Sequence, residues 1–169
     1  LAAARYSGED RYDTAARISK GRFAASHNVV IATGVDFPDA LSASALAGAL
    51  NAPLLLTRAT VVPPVVLAEI TRLGATNAWI VGGESVILPA VKTQLEGAGM
   101  TVQRVSGADR YETAEKVAYW VMDIVNAAPE GVWRRTAFFV RGDSFPDALA
   151  VAPHAYAQKI PILLVRTNS

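Results

Sequence analysis

The sequence predicts an α/β fold in which short buried strands alternate with helices in tandem repeats. Three observations support this prediction: strand-length runs that are apolar throughout, segments of helical spacing between them, and long words that recur at fixed offsets. Such alternation is typical of a parallel sheet covered by helices on both faces. The expected sheets are mainly parallel and Rossmann-like or Toprim-like.

Each predicted element has its own signature. The segment "DRYETAEKVAYWVMDIV" (109–125) has an apolar stripe at helical spacing, which predicts an amphipathic helix. The predicted strands are short apolar runs bounded by turn residues. They are "VVIAT" (29–33), "PLLLT" (53–57), "AWIVG" (78–82), "TVQRV" (101–105), "AFFVR" (137–141) and "PILLV" (161–165).

Two long words divide the chain into copies. "RYSGEDRYDTA" (Arg5–Ala15) recurs 99 positions later as "RVSGADRYETA", and the block Asp36–Arg58 recurs 108 positions later as Ser144–Arg166. Residues 1–100 therefore form a first, complete repeat. Residues 101–169 form a second repeat that is expected to be incomplete, because its C-terminal third has no counterpart. The nine additional residues (108 − 99) fall near "VNAAPEGVWRR" (125–135), which predicts a longer helix end and loop.

Composition excludes several classes of protein. Of the 169 residues, 51% are apolar and 18% charged, which is typical of a globular chain rather than a disordered one. The net charge of +1, without a basic stripe, argues against nucleic-acid binding. The absence of cysteine removes disulfides and thiolate chemistry. No apolar run reaches the length of a membrane span, so membrane insertion is not expected.

The repeated acidic residues are predicted to cap helices. Asp10-x-x-Asp13 and Asp109-x-x-Glu112 have the spacing of a capping box, and the words beginning at Asp36 and Ser144 have the same form. Two carboxylates at one helix start, without histidine or a third acid nearby, make a poor metal site. We therefore predict caps and no bound metal.

No catalytic constellation emerges from the remaining motifs. "VGGES" (81–85) follows a strand but lacks the GK[ST] ending of a phosphate loop, so a tight turn is expected. His27 and His154 occupy unrelated positions of the two copies. Ser42, Ser44 and Ser85 have no base beside them in the pattern. We expect no enzyme activity and no cofactor.

The loops that follow strands and precede helices gather at the carboxyl edge of a parallel sheet, where α/β proteins bind ligands. Repeated basic groups and helix starts at that edge suit an anionic, repetitive ligand. An alternative is that Arg11 and Arg110 simply pair with Asp13 and Glu112. The candidate ligand-binding residues are Arg58, Arg166, Arg11, Arg110, Asp39, Asp147, Tyr12 and Tyr111.

The words "SGxDRYxTA", "FPDALSASALAG", "APLLLT" and "WIVGGESVILPAV", in this order, resemble the cell wall binding repeat 2 family of Gram-positive bacteria. The resemblance implies repeats that pack in threes around a pseudo-threefold axis and attach exported proteins to the cell wall. It also implies an anionic, teichoic-acid-like wall polymer as ligand. A Pro-Ile-Leu-Leu motif associated with polymer binding corresponds to 53–56 and 161–164. Since those leucines are expected in a buried strand, we expect them to position Arg58 and Arg166.

The leading hypothesis is therefore a non-catalytic, extracellular module that anchors a protein to the cell wall through an anionic polymer. An enzyme that acts on a nucleotide or sugar phosphate at the same edge is one alternative. A structural repeat for protein–protein assembly is the other. An incomplete second repeat would leave an open sheet edge and an apolar face, which favours further repeats or self-association.

Overall fold

The computed structural model describes residues 5–128 and 136–166, in which helices and strands alternate as predicted. The helices are α1 (Arg11–Arg22), α2 (Pro38–Ala49), α3 (Pro64–Leu73), α4 (Pro89–Gly97), α5 (Arg110–Ala127) and α6 (Phe145–Gln158). The strands are β1 (Asn28–Thr33), β2 (Leu54–Thr57), β3 (Asn77–Val81), β4 (Thr101–Val105), β5 (Phe138–Arg141) and β6 (Ile162–Val165). Each strand agrees with its predicted run to within a residue at either end. Most of the predicted loop near 125–135 lies outside the described residues.

All strand pairs in the described chain are parallel, which confirms the predicted α/β class. The first sheet has the order β2-β1-β3-β4, and the second consists of β5 and β6. The register pairs Val30 with Leu54 and Trp79 in the first sheet, and Phe138 with Ile162 in the second. Helix α2 covers one face of the first sheet, while α1, α3 and α4 cover the other. Because both faces of β1 are covered, its residues 29–33 are buried.

Helix α2 joins the two sheets into one structure. It packs against α5 and α6, and almost every residue from Pro38 to Gly48 is buried. Small side chains permit this enclosure, since the backbone of Tyr156 lies directly against Gly48. The Tyr156 hydroxyl donates to the Ala52 carbonyl oxygen at 3.3 Å, and Trp79 meets Trp120 edge to face at 5.0 Å. The two copies therefore share one hydrophobic core.

Described helices cover only one face of the second sheet, so its other face is open, as the sequence predicts for the second repeat. Phe139 is 68% exposed, whereas Ile31, at the matching position of β1, has no exposed surface. In the first copy α3 covers this face. No described residue of the second copy takes the place of α3, so one face of β5 and β6 is open.

The capping predictions hold for one repeated word and fail for the other. Asp10 and Asp109 are N-caps, and each carboxylate accepts two backbone N–H groups of the following turn at 2.9 Å. Asp36 instead precedes the cap of α2, Phe37, and its carboxylate accepts a hydrogen bond from the Phe37 N–H. Ser144 caps α6 without a side-chain hydrogen bond. The prolines of the first turn remove N–H groups that a cap would use, which explains the failure.

Replacing Gly48 with Ala is expected to destabilise the protein by about 1–3 kcal/mol, because an added methyl group would overpack the junction between the helices. A Cβ at this position would lie 2.2 Å from the carbonyl oxygen of Tyr156. Urea unfolding measures the loss. Gly97→Ala in α4 is the matched control, since its Cβ would meet nothing within 4 Å. Equal stability of the two variants would contradict a tight α2–α6 contact.

Candidate functional site

The loops at the carboxyl ends of the strands form a continuous rim. In the first sheet they run from Gly34 to Phe37, Arg58 to Pro63, Gly82 to Leu88 and Ser106 to Asp109. The start of α5 connects this rim to the second sheet, because Arg110 contacts the loop after β5. The residues predicted for ligand binding lie at or beside this rim.

Four residues of the first copy form what we call the first arginine–tyrosine cluster: Arg11, Tyr12, Gly34 and Arg58. Arg11 Nη1 donates to the carbonyl oxygen of Gly34, where β1 ends. The Tyr12 ring packs so closely that a Cβ on Gly34 would lie 2.6 Å from its Cε1 atom. The guanidinium of Arg58 lies over the same ring, 5.4 Å from the centroid. Such a contact is a cation–π interaction.

The second arginine–tyrosine cluster repeats this geometry with Arg110, Tyr111, Gly142 and Arg166. Arg110 Nη1 donates to the Gly142 carbonyl oxygen at 2.9 Å. A Cβ on Gly142 would again lie 2.6 Å from the tyrosine Cε1 atom. The Arg166 guanidinium is 4.7 Å from the Tyr111 centroid and donates to Asp109 at 2.9 Å. The repeated sequence word thus encodes a repeated three-dimensional contact.

The predicted pairing of Arg11 with Asp13, and of Arg110 with Glu112, is wrong. Residues two apart on a helix point in different directions, whereas residues four apart are neighbours. Asp13 accordingly pairs with Arg17, and Glu112 with Lys116, both at 3.0 Å. The arginines instead point to the glycine carbonyls.

One ion pair links the two copies at the rim. The carboxylate of Asp36 lies 3.6 Å from Arg110, the first residue of α5.

The backbone N–H groups of Glu112 and Tyr111, together with the charge of Arg166, lower the pKa of Asp109, the N-cap of α5. This helix start is therefore already occupied by its own carboxylate.

Asp39 and Asp147 occupy matching sequence positions but different surroundings. Asp39 is half-buried and lines a cleft of about 130 Å³ together with Asp36, Ser85 and Arg110. Burial, followed by the charge of Asp36, raises the pKa of Asp39, and Arg110 acts in the opposite direction. Asp147 is exposed on α6. The cleft thus belongs to the junction of the copies rather than to each repeat.

The other motifs take structural positions in the described chain. Gly82 of "VGGES" has φ +129°, in keeping with the predicted turn. His27 is exposed, and exposed His154 meets the Phe138 ring edge to face at 5.6 Å. Ser42 and Ser44 donate to carbonyl oxygens within α2. Within residues 5–128 and 136–166, no three acidic or histidine side chains are grouped as metal ligands.

Gly34 and Gly142 are parts of the site that the sequence reasoning missed. They are 108 positions apart, which is the offset of the second repeated block, and they lie two residues before that block begins. Extending the alignment of the copies by two residues would have found them. The need for glycine comes from the tyrosine ring that occupies the space of a side chain.

The fold defines a tandem α/β repeat, and comparison with known proteins gives its family. A family model described as "Cell wall binding domain 2 (CWB2)" matches residues 5–92 and 104–169. The chain belongs to the cell wall binding domain 2 family, which confirms the predicted resemblance. It is a cell-wall-binding module, and its location is the cell wall outside the cell.

Two curated relatives are from Bacillus subtilis (strain 168). The chain is 32% identical over 165 residues to the N-acetylmuramoyl-L-alanine amidase LytC, and 34% identical over 164 residues to an amidase enhancer. These alignments include 98% and 97% of this chain but only 31% and 22% of the relatives. The chain therefore spans about a third or less of either protein.

Two solved structures from Clostridium difficile have the same fold over most of the chain. Cwp6 aligns with a TM-score of 0.87 at 28% identity, and Cwp8 with a TM-score of 0.85 at 30% identity. Each alignment covers 97% of this chain, and 25% or 27% of the other. Among the described residues, none of the helices combines the length and apolar character that crossing a bilayer requires.

Replacing Asp39 with Asn is expected to raise the free energy of unfolding at pH 7 by up to about 0.5 kcal/mol, after allowance for solvent screening. A raised folded-state pKa means that ionised Asp39 is less favourable in the folded chain than in the unfolded one. This destabilisation is relieved as pH falls through the raised pKa, so the two proteins converge below about pH 4.

Urea unfolding at pH 4 and pH 7 measures the difference, with Asp147→Asn at the exposed matching position as control. A loss of stability in Asp39→Asn at pH 7 would mean that the ionised carboxylate has a stabilising partner.

Proposed function

We propose that the module binds an anionic secondary polymer of the cell wall across its rim, without catalysis. The observation that supports this proposal is the recurrence of the arginine–tyrosine cluster at one sheet edge. The ion pair between Asp36 and Arg110 joins the second cluster to the rim of the first copy. A polymer with regularly spaced negative groups suits two repeated cationic positions on one rigid surface. In a longer protein, the module would anchor whatever domain is joined to it.

Arg58 is the stronger candidate for direct contact with the polymer. It is exposed, and the stack on Tyr12 orients its guanidinium. Among the described residues no carboxylate lies within ion-pair distance of Arg58. Arg166 has the same stack, but Asp109 already neutralises it. An incoming anion must compete with Asp109 in the second cluster and meets no such competitor in the first.

Arg11 and Arg110 are better suited to positioning than to binding. Each holds a glycine carbonyl and so fixes the loop after β1 or β5. The leucines of the Pro-Leu-Leu-Leu and Pro-Ile-Leu-Leu segments are buried or half-buried in β2 and β6. These segments would act by holding Arg58 and Arg166 at the rim.

The described side chains of the rim support a binding role more than an enzymatic one. The hydroxyls of Ser42 and Ser44 are engaged with backbone carbonyls rather than with a base. His27 is exposed and directly precedes β1, and exposed His154 lies on α6. Neither histidine lines the rim cleft. Acid–base chemistry requires a group within hydrogen-bonding reach of the reacting proton.

Retention on isolated Gram-positive cell walls tests the proposal. Walls are used intact and after acid extraction of their secondary polymers, at low and high salt. Retention on intact walls that is lost on extraction and weakened by salt is the expected result, because salt screens exposed charges. Retention that survives extraction would contradict an anionic polymer as ligand.

Arg58→Ala is expected to weaken retention about tenfold, as for the loss of one charge-assisted hydrogen bond. Arg166→Ala should have a smaller effect, since Asp109 already occupies that guanidinium. Arg22→Ala is the matched control, since it removes an exposed arginine that also lies over an aromatic ring, Phe23, but in the last turn of α1 rather than at the rim. Equal losses in Arg58→Ala and Arg22→Ala would show that only overall charge matters, and would contradict a site at the rim.

A further inference from the structure

Two exposed aliphatic side chains lie on the loops that carry the first arginine–tyrosine cluster. Val35 follows Gly34 in the loop after β1 and is 72% exposed, and Val61, in the loop after β2, is 39% exposed. Single exposed apolar residues are common on protein surfaces. These two share the rim with Arg58, which has no carboxylate partner among the described residues.

Hydrogen bonds around Thr57 bring the backbones of all three residues together. The Gly34 N–H donates to the Thr57 carbonyl oxygen at 2.9 Å. Val35 and Arg58 each follow one partner of this bond in the chain. The Thr57 hydroxyl also donates to the carbonyl oxygens of Arg58, at 3.1 Å, and of Val61, at 3.2 Å. We call Val35, Arg58 and Val61 the valine–arginine patch.

Other side chains hold both loops of the patch in place. The hydroxyl of buried Thr33 accepts from the Val35 N–H at 3.1 Å. On the second loop, the side-chain amide of Gln94 in α4 accepts from the Val62 N–H at 2.8 Å and donates to the Val62 carbonyl oxygen at 3.5 Å. Ordered loops therefore present the two exposed valines to water. A ligand that covers them gains apolar burial with little loss of loop entropy.

The second copy does not repeat the patch. At the offset of 108, Asp143 stands in place of Val35 and pairs with Arg141 at 3.0 Å. Arg141 itself stands in place of Thr33. The rim of the second copy is therefore charged where the rim of the first copy is apolar, so the two copies should prefer different parts of a ligand.

We propose that the valine–arginine patch recognises a sugar phosphate unit that carries an acetamido group. Arg58 binds the phosphate, and the two valines contact the acetamido methyl group. Two valines offer too little apolar surface for stable insertion into a lipid bilayer, because that binding scales with the buried apolar area. The inference rests on the proposed polymer binding and adds the kind of repeat unit that the first copy prefers.

Two matched probes test the preference. N-acetylglucosamine 1-phosphate and glucose 1-phosphate differ only in an acetamido group that replaces one hydroxyl group. Each is titrated into the whole chain, and NMR of labelled backbone amides measures the dissociation constant. The acetamido sugar is expected to bind about fourfold more tightly, as for the burial of one methyl group. N-acetylglucosamine without phosphate should bind more weakly than either, since it offers Arg58 no charged partner.

A double variant, Val35→Thr with Val61→Thr, separates the apolar contact from the charge. Threonine keeps the β-branched shape and replaces a methyl group with a hydroxyl group, so the loops should keep their conformation. In this variant the two sugar phosphates are expected to bind equally, whereas Arg58→Ala should weaken both. Ile18→Thr changes a 51% exposed residue of α1 and is the matched control, which should keep the preference. Circular dichroism checks that the variants are folded.

Three results would overturn the proposal. They are no binding of either sugar phosphate at about 20 mM, equal binding of the two by the unchanged chain, and a preference that the double threonine variant retains. Equal binding would leave the proposed polymer site standing, because that site fails on a separate result, retention on walls after extraction. Flotation with phosphatidylglycerol vesicles adds a fourth result. Vesicle binding that the double variant abolishes would assign the patch to a lipid surface instead.

Discussion

The enclosure of helix α2 is the constraint on which the rest of the structure depends. This helix lies between the first sheet and the helices of the second copy, so apolar or small residues are required all around it. Its two buried serines satisfy their hydroxyls within the helix itself, at the carbonyls of Pro38 and Leu41. Close approach at Gly48 then sets the distance between the copies. Because α2 begins at the rim, this packing also determines how Asp36 meets Arg110.

The arginine–tyrosine clusters show how one sequence word both caps a helix and supports the cation that we propose as a polymer contact. Within the word, the aspartate caps the helix, the arginine holds a glycine carbonyl, and the tyrosine supports a second arginine. The guanidinium of that last arginine lies over the tyrosine ring rather than on a backbone carbonyl. The cluster therefore combines an ordered base with an exposed cation, which would lower the entropy cost of the proposed polymer binding. Membership of the cell wall binding domain 2 family indicates that the chain that carries these clusters binds the cell wall.

Asymmetry between the copies is as informative as their similarity. Arg166 is paired with Asp109, while Arg58 has no carboxylate partner among the described ion pairs. Asp39 is half-buried at the junction, while Asp147 is exposed. Ile31 is covered, while Phe139 is open. Residues at equivalent sequence positions thus have different surroundings in the two copies of the described structure.

The sequence by itself determined the α/β class, the strands and the caps at Asp10 and Asp109, because apolar periodicity and local hydrogen bonding depend on residues close in the chain. It also determined the family, since several long words in register are specific. It did not determine the partners of Arg11 and Arg110, which are glycine carbonyls 23 and 32 residues away. Nor did it show that Asp36 and Ser144 fail as caps, or that Asp39 lines a cleft. Those features depend on contacts between distant segments, which only the tertiary structure decides.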